Sequence, residues 1–483
     1  VDLTGRIFVA TKMRSSCKAS GRFLTQGSRT MLVQATNRLR QASARSRSKH
    51  LFDRAKGVFT DGTTRASVER DPFPIYAQRG EGAYLVDVDG NRLLDLNNNF
   101  TTLIHGHGFA HVSEAVVDLL RLGTCFANPT EHEIALAELL TARIPAMERV
   151  RFVNSGTEAV MFAIKAARAF TARPAIARIE GAYHGAYDWA EAGQGVSPGK
   201  DGWDPIPIPT PTYRGTPSSV ADEVHLLRFN DVEGLERRLS AASDRIACVL
   251  IDPMPSRAGL LHPEPTFIEA LSETAHKYGI LIVADEVLNL RQGYAGASPR
   301  YGLKPDLVTA GKIIGGGFPI GAIGGREEVM QVFGTENAQP LLPQGGTFSA
   351  NPVSMAAGLA AMEAMTPDAF DRLEAMGERL RAGLRASIAS RDARFSVTGA
   401  ASLFRIHPKR VAPLEYRDAH LSAEEAWIMR TMSRYFLEAG ILLPYGAAAC
   451  LSTPMVHSDI DRILSAFDEF LEAKIGPEKE RAK

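Results

Sequence analysis

Cysteine is scarce in this sequence. Its four residues, Cys17, Cys125, Cys248 and Cys450, stand far apart, with no CxxC pair and no metal-ligand spacing. A disulfide framework and a bound metal are not expected, each thiol is expected buried or half-buried, and a reducing cytoplasm is the expected setting. Long apolar runs are missing as well: none reaches the roughly 18–20 residues that a membrane span needs. Charge of one sign is also missing. Lys plus Arg and Asp plus Glu both number 55, so composition gives no pull toward nucleic acid or an anionic membrane. There is no internal repeat, no low-complexity tract and no lipidation motif at either end.

Acidic residues are absent where basic ones crowd. In residues 1–50 Arg and Lys recur against a single acid, Asp2, and Ser is frequent. Residues 1–30 are set aside as a basic N-terminal extension, either an organelle transit peptide or upstream or tag sequence. The remaining length is too great for one simple core and suits a large domain with smaller lobes. We expect residues 31–109 to open a small lobe, 110–365 to form the large domain and 366–483 to close the small one.

The middle of the chain alternates strand-like and helix-like pieces. Val150–Val153 reads as a short buried strand, and Ile246–Ile251, Ile280–Ala284 and Leu307–Ala310 are short continuous apolar runs, the pattern of parallel strands buried on both faces. Helices are expected at Glu131–Arg143, with Ile134, Leu136, Leu139 and Leu140 inward, and at Thr157–Phe170, Phe267–Lys277 and Pro352–Met365. Ala83–Asp87 and Arg92–Asp95, split by Val-Asp-Gly, read as a hairpin. Gly195–Ser219 reads as a long loop. After residue 366 the pattern becomes helix, short strands, helix. The fold class is therefore α/β, a mostly parallel sheet with a small α+β lobe.

Four local signals carry chemistry. Asn154-Ser155-Gly156-Thr157-Glu158 joins a strand to a helix, and a small-residue turn at a helix N-terminus presents free N–H groups to a phosphate. The same residues also serve as plain caps. Tyr183-His184-Gly185 offers an aromatic ring beside a glycine, to lie under a planar heterocycle or to fill a core. Asp285-Glu286-Val287 ends an apolar strand, where ligands of open α/β sheets bind. Asp285 there can face a protonated ring nitrogen or cap a turn. Gly311-Lys312, followed by Gly315-Gly316-Gly317, places one lysine after a strand and before glycines. A half-buried lysine becomes a nucleophile able to form an imine, and the alternative is a surface lysine. The order GxxxxGK[ST] is absent, which excludes a nucleotide P-loop.

With Gly346–Pro352 (GTFSANP), these motifs make the chain resemble the fold-type I enzymes that use pyridoxal 5′-phosphate (PLP). Within them it is most similar to the class III aminotransferases, the glutamate-1-semialdehyde 2,1-aminomutases and β-amino-acid (β-phenylalanine) aminotransferases above all. The resemblance covers about residues 50–475. It implies a seven-stranded sheet and a PLP cofactor carried by Lys312 as a Schiff base. It implies that Lys312 also moves the substrate proton and that Asp285 pairs with the pyridine nitrogen. Val287 and Tyr183 would take the two ring faces, with His184 beside Tyr183 among the cofactor-binding residues. Ser155, Gly156 and Thr157 would hold the phosphate. Asp252 stands where these families usually have Glu, on the cofactor side of the pocket. Thr347 would reach the phosphate in a neighbouring subunit, so the resemblance implies a homodimer with shared sites. Arg65 would clamp a substrate carboxylate, which a planar guanidinium does well, and Phe100 would line the substrate pocket. Where some β-amino-acid enzymes carry a mobile Arg for the acceptor, this chain has Tyr445, leaving Arg291 or Arg257 to substitute. The expected activity is ping-pong transfer of an amino group from a carboxylate-bearing amine, a β-amino acid first, to a keto acid. The alternative is intramolecular transfer of the aminomutase type. Ser256–Gly259 and Leu288–Arg291 depart from the aminomutase pattern.

Overall fold

The computed structural model describes residues 46–475 apart from 201, 335–338 and 447. Cys17 and the basic extension at 1–30 lie outside the described residues. Those described fall into two compact units, one of 46–78, 86–91 and 468–475, the other of 79–85 and 92–467.

In the first unit, Ser46 caps the helix Arg47–Ala55, its hydroxyl accepting from Lys49 N–H. Asp89 binds the same helix start, its carboxylate accepting from Arg47 N–H, Ser48 N–H and the Ser46 hydroxyl. The hairpin turn forms as expected: Asp87 Oδ1 accepts from Asp89 N–H and Asn91 N–H, and Asp87 N–H donates to the Asn91 carbonyl.

The second unit is built on a seven-stranded sheet. Its strands are β1 (Arg149–Val153), β2 (Ala175–Ile179), β3 (Val224–Leu227), β4 (Ile246–Ile251), β5 (Leu281–Asp285), β6 (Leu307–Gly311) and β7 (Gly321–Gly325). Their spatial order is β1-β7-β6-β5-β4-β2-β3. Neighbours from β6 to β3 run parallel, and β7 runs antiparallel to both β6 and β1. Strand side chains alternate between two packed layers, as the period of two requires. Cys248 and Leu250 of β4 meet Ala159, Ala163 and Ala167 of helix α1 (Gly156–Thr171) on one face. Val249 and Ile251 meet Phe267 and Leu271 of helix α2 (Pro265–Tyr278) on the other. Both faces are covered, which is why these strands read as unbroken apolar runs.

The strand β7, Gly-Ala-Ile-Gly-Gly, escapes a propensity reading because glycine weakens strands. Its glycines are there for space. A Cβ on Gly321 would stand 2.1 Å from the Ser155 carbonyl oxygen, and one on Gly324 would stand 2.4 Å from Met147. The helix Glu131–Arg143 forms where expected, but Ile134 faces outward at 56% exposure while Leu136 and Leu140 are fully buried. Two residues at about 100° each put Ile134 on the far side from Leu136. Cys125 is exposed, against expectation, whereas Cys248 and Cys450 are buried.

Beyond the sheet, helix α3 (Pro352–Glu363) packs close to the lysine segment: a Cβ on Gly358 would meet the Ile314 carbonyl at 2.1 Å. Then come helix α4 (Pro367–Ser390), short strands Ser396–Thr398 and Leu403–His407, and further helices, the order expected after residue 366. Among the described residues no helix is long and apolar enough to cross a membrane.

Candidate active site

The parallel strands deliver their C-terminal ends to one place. β4 is followed by Asp252, β5 ends on Asp285, and β6 runs directly into Lys312. Register supports the convergence, since Asp285 pairs with Thr309 across β5 and β6.

Asp285 is buried and fully partnered. Its Oδ2 lies 2.7 Å from His184 Nδ1, and its Oδ1 accepts from Thr309 Oγ1 at 3.0 Å and Val287 N–H at 3.1 Å. Burial works to raise its pKa, but the His184 contact, the Val287 amide and the Lys312 charge together outweigh this and hold it below the ordinary value. The carboxylate is therefore kept ionised inside the protein. His184 is buried too, and burial lowers its pKa, so Asp285 does not turn it into a stable imidazolium. Its other nitrogen, Nε2, is buried without a partner.

Lys312 is half-buried and takes a left-handed backbone, φ +50°. That conformation is uncommon outside glycine and marks a position held by its surroundings. Its Nζ forms no ion pair or hydrogen bond among the described residues. Burial lowers its pKa; Asp285 and Asp252 oppose this, and the charge of Arg291 adds to it. Asp252 is the opposite case from Asp285. Burial and the nearby Asp285 charge push its pKa well above the ordinary value, although its Oδ1 accepts from Met254 N–H at 2.9 Å and from Asn289 Nδ2. Two strand-end carboxylates thus act on one amine, one with its pKa lowered and one with its pKa raised.

Val287 ties the pieces together. A Cβ on Gly156 would meet its Cγ1 at 2.8 Å, and one on Gly311 would meet it at 3.3 Å. The helix N-terminus, the Asp-Glu-Val turn and the lysine strand are therefore in direct contact. At that N-terminus Ser155 acts as a cap, its Oγ accepting from Glu158 N–H at 3.2 Å. The first-turn amides of Gly156 and Thr157 have no carbonyl partner within the helix, and both residues are partly exposed. Gly185, at φ +90°, brings the Tyr183-His184-Gly185 loop against Thr157, where a Cβ would fall 2.5 Å from Oγ1. Tyr183 is 46% exposed, with the Arg257 guanidinium 4.8 Å from its ring centre.

Other expected residues are less enclosed. Thr347 is exposed, and its neighbour Gly346 lies near Asn154. Phe100 is half-buried. Arg65 belongs to the first unit and is exposed, its carbonyl accepting from Arg70 Nη2 at 2.9 Å. Arg291, weighed as a carboxylate binder, is fully buried and spends Nε, Nη1 and Nη2 on Ser402 Oγ, the Thr101 carbonyl and the Leu451 carbonyl. Those bonds leave it no fork for a substrate, so that expectation is withdrawn. Sequence reasoning overlooked Thr309 and Asn289. The alternation along β6 places Thr309 beside the Asp285 position, while nothing local to the sequence links Asn289 to Asp252.

The donor set suits PLP. A depressed, unpaired amine, an ionised buried carboxylate with an imidazole behind it, and an open row of helix amides match an aldehyde, a pyridinium and a phosphate respectively. The family described as Aminotransferase class-III matches residues 65–471. The chain is 36% identical to the glutamate-1-semialdehyde 2,1-aminomutase of Methanothermobacter thermautotrophicus, over 88% of this chain and 99% of that protein. Among solved structures it is similar to an omega-transaminase from Sphaerobacter thermophilus, with TM-score 0.86, 48% identity, and 89% of this chain and 98% of that chain covered. It is also similar to a beta-phenylalanine aminotransferase from Variovorax paradoxus, with TM-score 0.82, 31% identity, and 92% and 97% covered. The chain belongs to the class-III aminotransferase family and is a PLP-dependent transaminase.

Proposed function

We propose that the enzyme moves an amino group from a carboxylate-bearing amine, with a β-amino acid as preferred donor, to a keto acid in two half-reactions. One observation carries the proposed roles: the unpaired, half-buried Lys312 amine stands with a carboxylate, Asp285, that accepts three hydrogen bonds and whose pKa is held low by His184, the Val287 amide and the Lys312 charge. When bound, PLP supplies an electron sink that stabilises negative charge on the substrate carbon. The protein does the rest. Lys312 holds the cofactor and then, as a free amine whose pKa burial lowers, takes and returns the substrate proton. Asp285 fixes the ring nitrogen, with His184 and Thr309 orienting the carboxylate. Ser155, Gly156 and Thr157 receive the phosphate. Tyr183 and Val287 confine the ring, and Asp252 lies on the cofactor side.

On the substrate side, Arg65 binds the carboxylate and Phe100 forms part of the wall. Thr347 acts across a homodimer, and the site works in the cytoplasm. The division at residues 110 and 365 separates the cofactor-binding part from the rest. Support for a β-amino acid donor comes from the likeness to the beta-phenylalanine aminotransferase. The second reading, intramolecular transfer, draws equal support from the aminomutase relatives. Against it stand the stretches Ser256–Gly259 and Leu288–Arg291, which depart from the aminomutase pattern, the second of them placing Asn289 against Asp252.

A donor and acceptor panel under single-turnover conditions decides. Loss of the visible cofactor band with β-amino acids, and its return with a keto acid, is the expected result. Rearrangement of glutamate-1-semialdehyde with no acceptor present, and no response to β-amino acids, would establish the second reading instead.

A further inference from the structure

Four consecutive residues, Asn98, Asn99, Phe100 and Thr101, have φ of +47°, +50°, +55° and +72°. This is a full turn of left-handed backbone in ordinary L-residues, which Cβ sterics oppose at every step. Asn tolerates the region, but a bulky Phe and a β-branched Thr do not. The turn is also short of partners, since Asn98 Oδ1 and Thr101 Oγ1 are buried with none. Such a conformation persists only where the surroundings over-determine it.

Its first half is held locally. Asp95 Oδ1 accepts from Asn97 N–H and Asn98 N–H at 2.8 and 2.9 Å, and Asn98 Nδ2 donates to the Asp95 carbonyl at 2.8 Å. Its second half, with the two least tolerant residues, has local support from Asn97, whose Oδ1 accepts from Phe100 N–H at 2.5 Å and whose carbonyl accepts from Thr101 N–H at 2.8 Å, and is tied to distant segments through the Thr101 carbonyl. Arg291 Nη1 donates to the Thr101 carbonyl at 2.9 Å, while Nε reaches Ser402 Oγ at 3.0 Å and Nη2 the Leu451 carbonyl at 2.5 Å. A guanidinium is a rigid fork, so three acceptors on three segments fix the turn in position as well as in contact. Arg291 is fully buried and pairs with no acid among the described residues. A charge left unpaired in a core, when an apolar side chain would fill the space, calls for a reason.

We propose that Arg291 is a positioning residue: it clamps the left-handed turn at Thr101 and thereby sets the substrate-side wall carried by Phe100. The wall's role rests on the proposed function above; the clamp itself does not. The turn continues toward the lysine segment, since a Cβ on Gly317 would lie 3.1 Å from Leu103.

The test compares wild type with Arg291→Met, Arg291→Lys and the double variant Arg291→Met/Thr101→Gly. Glycine at 101 keeps the carbonyl and removes the steric objection to positive φ. In the cofactor-free protein, Arg291→Met should speed amide hydrogen exchange at residues 101–103, and the double variant should restore protection. In the holoenzyme, kcat/KM for an aromatic β-amino acid should fall by roughly a hundredfold, the scale of an ångström-sized misplacement. A small aliphatic β-amino acid should lose much less, and Thr101→Gly should recover most of the difference. The charge has its own signature. The charges of Asp285, Asp252 and Arg291 all act on Lys312, so Arg291→Met should move the pH midpoint of the visible cofactor band upward, while Arg291→Lys should not. Should Arg291→Met fail to fold, Arg291→Lys carries the exchange and donor-ratio arms. Equal losses on both donors, unchanged exchange at 101–103 and no rescue would overturn the proposal in favour of simple packing. Faster exchange with an unchanged donor ratio would overturn the wall role alone, leaving the transaminase reading standing. Failure of that reading would show separately, as a wild type inert toward every amine.

Discussion

Thr309→Val tests how the ionised carboxylate is maintained. Thr309 is fully buried, and its hydroxyl donates to Asp285 Oδ1 at 3.0 Å. Valine keeps the shape and replaces the hydroxyl with a methyl. A hydrogen bond to a charged group contributes about 1.5–3 kcal/mol. The added buried methyl returns about 0.8 kcal/mol. Net destabilisation should be about 1–2 kcal/mol at pH 7, or roughly a 5- to 30-fold larger unfolding constant. The pH dependence has a definite sign. Asp285 has a lowered pKa in the folded state, so its stabilisation is fully present above 3.8 and fades as pH falls through its folded value. The variant's deficit should therefore be the same at pH 7 and pH 5 and shrink only in stronger acid. Urea unfolding of the cofactor-free protein at several pH values measures it, with Thr309→Ser as the conservative variant that recovers the loss. A deficit below about 0.5 kcal/mol at pH 7, within the range of neutral substitutions, would refute the idea that Thr309 helps hold Asp285 ionised.

Other expectations follow from the same geometry. Asp285→Asn should lower kcat by orders of magnitude with cofactor still bound, because a neutral amide gives the ring nitrogen no counter-charge; near-normal turnover would show that another group faces that nitrogen. Asp252 has a pKa raised mainly by burial, so its protonated form stabilises the fold in acid and that benefit fades as pH rises through the folded value. Asp252→Asn should therefore gain thermal stability over wild type as pH rises from 3.8 toward the raised folded value of Asp252, and a stability difference that does not change with pH would count against the raised pKa. Arg65→Ala should weaken carboxylated donors by roughly 1.5–3 kcal/mol in kcat/KM and spare matched simple amines; equal losses would give Arg65 a structural role.

Much of the sheet was legible because its central strands are buried on both faces and so read as apolar runs. Ile246–Ile251 has the same limits in sequence and structure. What escaped reading were strands whose residues answer to neighbours rather than to propensity. Gly321–Gly325 carries little strand propensity, and its glycines answer to the Ser155 carbonyl and Met147 packed against them. The site divided in the same way. Lys312, Asp285 and Ser155 announce themselves by their place between a strand and a turn. Thr309, Asn289 and Arg291 act through contacts with residues 24, 37 and 190 positions away; strand alternation points to Thr309, while no local pattern marks the contacts that Asn289 and Arg291 make. The left-handed turn at 98–101 was equally hidden, since three asparagines in a row suggest a loop but not its hand.

Every proposed role in the site depends on Lys312 being the residue that holds the cofactor. Borohydride reduction of the holoenzyme, followed by proteolysis and mass spectrometry, locates that lysine directly. The account predicts a single peptide with the pyridoxyl adduct, with fragmentation placing it on Lys312, and no adduct in Lys312→Ala. An adduct on any other lysine of the wild type, or wild-type turnover in Lys312→Ala, would contradict it.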